Sequence, residues 1–154
     1  MIPATRILVF SIDAQRYGIP LTPVRRVVRM VEITPLPGEP EFVRGVINVQ
    51  GEIMPVIDLR KRFGLAPRPV RLGDQLIITR FSSKYFALMA DAAEEVRECE
   101  GRELTEAADI LPGLPFLTGV AKLPDGMILI HDPAKLLSLA EHQALDEAVG
   151  QVEL

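Results

Sequence analysis

The chain has 154 residues, 48% of them hydrophobic, with a formal charge of −4 and a mean hydropathy of +0.22, enough to close one compact domain burying roughly 70% of its unfolded surface. An acidic balance with two Tyr, six Phe and no Trp argues against a basic, aromatic-lined platform, so no nucleic-acid partner is expected. The lone cysteine, Cys99, excludes an internal disulfide, the start MIPATR lacks a signal pattern, and no apolar run approaches the 18 or so residues of a membrane span; a cytoplasmic protein without direct membrane insertion is expected.

In chain order, the run Ile7-Leu8-Val9-Phe10, a polar turn at Asp13-Ala14-Gln15 and the segment Tyr17-Gly18-Ile19 predict strand, turn and strand. Pro20 and Pro23 interrupt pairing, and a short irregular crossing at Leu21 to Val24 leads to a strand over Arg25 to Val31. A proline-stiffened loop, residues 35 to 40, precedes two apolar runs, Val46 to Val49 and Ile53 to Ile57, around Gln50-Gly51. That is the pattern of a tight hairpin with Gly supplying the positive backbone angle. Pro55 cannot donate to a ladder, which places it at an edge or bulge. Asn48, with apolar neighbours on both sides, either satisfies turn backbone or is displayed to a partner.

Shifted by 74, residues 42 to 62 lie without gaps over 116 to 136, with Phe42/Phe116, Gly45/Gly119, Val46/Val120, Asp58/Asp132 and Lys61/Lys135 coinciding. Shifted by 68, the opening strands match as well, through Leu8/Leu76, Tyr17/Tyr85 and Val28/Val96. The unequal offsets place extra residues between Glu100 and Pro115. Two such copies, each with about five short strands, predict two small closed barrels packed side by side, covering roughly 6–70 and 75–132 of one 1–154 domain, with a groove between them as the docking surface. The near-continuous apolar runs predict strands covered on both faces. After Asp132-Pro133 the spacing turns helical and predicts a C-terminal helix over 133–149.

Nothing in the pattern assembles a catalytic or metal site. His131 and His142 sit on different elements with no triad or ligand spacing, and His131 reads as a capped or half-exposed strand residue. Neither a GxSxG elbow nor a phosphate-cradling glycine loop is present. The basic clusters Arg25-Arg26 with Arg29, and Arg60-Lys61-Arg62, read as solvated faces of a strand and a short helical turn. The acidic run Asp91, Glu94, Glu95, Glu98 and Glu100 reads as a solvated edge that discourages pairing between copies. Gly45 and Gly119 mark a bulge or close backbone approach at the start of each hairpin.

The stretch RGVINVQGEIMPVIDLRKRFG, residues 44 to 64, closely resembles the signature of the CheW family of bacterial chemosensory coupling proteins, roughly RGVxNLRGxxxPVIDLRxxFG. The likeness extends over YGIPLTPVRRVV, LMADAAEEV and FLTGVAKLPDGMILIHDPAKLL. It implies a mainly β fold of two intertwined SH3-like barrels. The implied role is a non-catalytic adaptor, with no cofactor and no metal, bridging chemoreceptor cytoplasmic tips to the regulatory domain of the histidine kinase CheA at membrane-associated receptor arrays. Position by position, Val24, Arg26, Arg44, Gly45, Asn48 and Gln50 correspond to the receptor-facing region, and Asp91 and Val96 to the kinase-facing one. Two positions depart from the family pattern: Gln50 stands where Arg is usual, and Arg26 where an acidic residue is common. An adaptor of a non-motility pathway, or a small-molecule-binding double barrel, are the alternatives.

Overall fold

The computed structural model describes residues 5–37, 40–81, 83–106 and 117–136. The fold is mainly β, and the described residues form two compact units: one from residues up to 24 together with those from 91 to 136, the other from residues 25 to 90.

In the first unit, β1 (Thr5–Ile12) and β2 (Gln15–Pro20) form the predicted hairpin. In the second, β3 (Val24–Arg29) precedes the signature hairpin, β4 (Val43–Val49) and β5 (Glu52–Asp58), followed by the helical turn α1 (Leu59–Arg62). The second repeat contributes β6 (Gln75–Phe81), β7 (Lys84–Ala90), β8 (Ala92–Cys99), the short β9 (Leu104–Glu106), β10 (Leu117–Leu123) and β11 (Gly126–His131). Strand order is β8-β1-β2-β11-β10-β9 in one sheet and β3-β6-β7-β5-β4 in the other.

This order corrects the sequential lobes 6–70 and 75–132. The two repeats exchange their opening hairpins. The β1–β2 hairpin of the first copy pairs with β8 and, in parallel, with β11 of the second. The β6–β7 hairpin of the second joins β3 and, again in parallel, β5 of the first. Periodicity fixes where strands lie, but hairpins with interchangeable apolar runs do not name their distant partners.

Both sheets turn back on themselves the same way. After β8 a single 3-10 turn, Gly101–Glu103, carries the chain into β9, which pairs with β10 at the far edge. After β3 the chain reaches Thr34, whose N–H donates to Val46 O at 2.9 Å while Val46 N–H donates to Thr34 O at 2.8 Å. Alternate residues fill each interior: Ile47, Val49, Met54, Val56, Leu76, Ile78, Ala87 and Met89 in one unit, and Ile7, Val9, Cys99, Ala121, Leu123, Ile128 and Ile130 in the other. The residues between them, such as Leu8, Phe10, Ile57, Ile77 and Leu88, are buried too, as the continuous apolar runs required.

Pro55 sits in an inner strand, and the expectation of an edge is met only locally. Val46, its partner on β4, turns its own N–H and C=O away to Thr34. The ladder with β7 begins one residue later, at Val56, so no bond is lost where proline has no donor. A 3-10 turn, Pro133–Lys135, begins at the expected proline; the rest of the predicted helix over 133–149, and His142, lie outside the described residues.

Candidate functional site

The signature hairpin is built by backbone demands. Gln50 (φ 52°) and Gly51 (φ 88°) both occupy the left-handed region of a two-residue turn. Asn48 Oδ1 accepts the Gly51 N–H at 2.8 Å, so its amide serves the turn, while the residue remains exposed at the hairpin end together with Gln50.

Gly45 lies on the bulge between β4 and β5 with φ 143°. A Cβ there would run into the carbonyl oxygen of Thr34, far inside van der Waals contact. The residue is buried at a closure point of the sheet, the close backbone approach expected of a glycine there. Its repeat partner Gly119 stands at the same place in the other unit, on a bulge of β10, where a Cβ would meet Thr105 O at 3.0 Å.

The aspartate of the VIDLR motif is likewise architectural. Asp58 is buried and caps α1, accepting the N–H groups of Arg60 at 3.0 Å and Lys61 at 3.3 Å, while its other oxygen takes Arg44 Nε at 2.9 Å. Arg44 continues to Arg68 O at 2.7 Å. Arg44 thus ties the strand to a buried carboxylate. In the second repeat Asp132 caps the 3-10 turn through the Ala134 N–H at 2.9 Å. Arg60 is buried too, at 6% exposure, so the cluster Arg60-Lys61-Arg62 is not uniformly a solvated face.

The two departures from the family pattern touch each other. Arg26 Nη2 donates to Gln50 Oε1 at 3.2 Å, linking β3 to the hairpin tip. Sequence treated them as separate changes because 24 residues part them; only the fold makes them neighbours. Beside them, Arg25 covers the Tyr85 ring at 4.7 Å and reaches Glu52 at 3.3 Å. Val24, half-buried, begins the same strand.

Of the two positions that the family resemblance assigned to kinase contact, Asp91 holds a turn: its Oδ2 accepts the Asp13 N–H at 2.7 Å, while its own N–H donates to Ser11 O at 3.0 Å. Asp13 adopts a positive φ of 55° that this carboxylate stabilises. Val96 is 48% exposed on β8, among exposed Glu94, Glu95 and Glu98. His131 is buried rather than half-exposed, with Nδ1 3.3 Å from Leu129 O and its ring 5.8 Å from that of Tyr17. Burial pulls its pKa down to about 4. Burial raises the pKa of the Cys99 thiol, with the charge of Glu103 adding to the effect. Among the described residues no three His, Cys, Asp or Glu side chains stand together as metal ligands, and no helix is long and apolar enough to cross a membrane.

Two strand-exchanged β units, with polar and apolar side chains displayed from a hairpin tip and an outer strand, define a scaffold-type protein. The family model of the CheW-like domain matches residues 6–141, and the chain belongs to that family, as a chemotaxis scaffold. It is 27% identical to the chemotaxis protein CheW of Klebsiella aerogenes over 90% of this chain and 85% of that one. It is 29% identical to the CheW of Bacillus subtilis over 95% and 90%. The solved scaffolding protein TtCheW of Thermoanaerobacter tengcongensis superposes with a TM-score of 0.80 at 34% identity, covering 91% of this chain and 96% of that one.

Proposed function

We propose that this chain is a cytoplasmic, non-catalytic adaptor that couples the cytoplasmic tips of chemoreceptors to the regulatory domain of the histidine kinase CheA. The observation that carries the reading is the likeness, over nine-tenths of both chains, to a solved scaffolding protein of the family. A scaffold of this kind accelerates phosphotransfer by raising the effective concentration of its two partners, with no chemistry of its own.

The receptor docks on side chains the fold leaves available: Asn48 and Gln50 at the hairpin tip with Arg26 and Val24 on β3. The kinase docks on the outer strand β8 around Val96. Gly45, Arg44 and Asp91 act behind these surfaces by holding backbone and turn geometry. The test is reconstitution of receptor cytoplasmic fragments and CheA with and without the purified chain. Kinase autophosphorylation rises on addition of the chain; a receptor–kinase mixture fully active without it contradicts the proposal.

A further inference from the structure

Arg26 is a cation on the apolar side of its strand. Alternation along β3 puts it on the same side as Val28, which packs against the core cluster of its unit. Its side chain is half-buried, and among the described residues its Nε has no hydrogen-bond acceptor and its only bonded partner is the neutral amide of Gln50. Arg25, one residue away, is neutralised by Glu52 and stacked on Tyr85. A half-desolvated guanidinium without a counter-ion costs stability, and an apolar residue between Val24 and Val28 would avoid that cost. Gln50 adds to it by adopting φ 52°, a left-handed conformation that is unfavourable for a residue other than glycine. Together they hold a positive fork ready beside the exposed hairpin tip.

We infer that Arg26 is a specificity-determining residue: the receptor segment that docks on β3 and the β4–β5 hairpin presents a carboxylate that pairs with its guanidinium, and Gln50 orients that guanidinium. The inference rests on the receptor-coupling reading above. A receptor carrying Lys or Arg at the facing position meets an uncompensated like charge and is rejected.

The experiment measures binding of the full-length chain to a purified chemoreceptor cytoplasmic fragment that the wild type binds, with thermal melting of every variant as the check on folding. Arg26→Glu is expected to weaken binding about tenfold or more, and replacing the facing receptor carboxylate by Lys restores it. Gln50→Glu, which leaves β3 untouched and supplies an internal counter-ion, also weakens binding. Wild-type affinity in a folded Arg26→Glu variant overturns the inference and leaves receptor coupling standing. A wild-type chain that binds no receptor fragment overturns receptor coupling, and the inference with it.

Discussion

Gly45 and Thr34 are joined so closely that no side chain fits between them: the Cα of the glycine faces the threonine carbonyl across the closing pair of the second sheet. Gly51, also at positive φ, has open space around it. Gly45→Ala therefore suffers both backbone strain and a clash with main chain, and is expected to lose on the order of 2–4 kcal/mol, against about 1 kcal/mol for Gly51→Ala. Gly119→Ala, at ordinary φ with 3.0 Å to Thr105 O, falls between. Urea midpoints of the three variants rank them. Equal midpoints for Gly45→Ala and the wild type contradict the closure role.

Asp58 is the buried hub of its motif, and its removal strands Arg44 and uncaps α1 together. Asp58→Ala is expected to cost about 3 kcal/mol or more. Asp58→Asn retains an acceptor for the cap and loses less. Asp132→Ala, which removes one backbone acceptor from a 3-10 turn, costs about 1 kcal/mol. Denaturant titration of the set checks the order.

His131 links stability to pH. Its folded pKa, about 4, lies below the ordinary 6.5 because burial disfavours the imidazolium. The unfolded chain therefore takes up the proton first. The contribution is fully present above about pH 6.5 and is lost as pH falls toward 4, reaching on the order of 3 kcal/mol. Carboxylates titrate in the lower part of this range, so the readout is the difference between the wild type and His131→Gln. That difference narrows on acidification, and a pH-independent difference contradicts a buried neutral imidazole.

Asp91 and Val96 separate holding a surface from being one. Val96→Asp changes a side chain that is 48% exposed and leaves melting within a degree or two, while weakening CheA binding. Asp91→Ala releases the Asp13 N–H and lowers stability by about 1–2 kcal/mol. Calorimetric binding and melting of the two variants distinguish the roles; a Val96→Asp chain with unaltered kinase affinity removes β8 from the kinase surface.

The strands, the signature hairpin and the repeat were legible because they rest on local chemistry. Gln50-Gly51 demands a turn, apolar runs demand burial, and the coincidence of Asp58 with Asp132 marked equivalent points of the repeat, although that both are caps emerged only from the structure. The hairpin exchange was not legible, since Tyr17 and Tyr85, occupying matching positions, carry no label for β11 or β5 as neighbour. Site residues divided along the same line. Conformation-driven roles, such as those of Gly45 and Asn48, could be read as alternatives from residue type. The Arg26–Gln50 contact and the Asp91–Asp13 clamp join residues 24 and 78 positions apart, and only the assembled fold brings them together.

Simultaneous attachment is the heart of the account, and co-sedimentation measures it most directly. Receptor cytoplasmic fragments anchored on vesicles are mixed with CheA at a concentration too low for it to bind them alone. The account predicts that CheA pellets when the wild-type chain is added and stays in solution with the folded Val96→Asp chain. CheA that remains in the supernatant although the chain itself pellets with the receptors would contradict it.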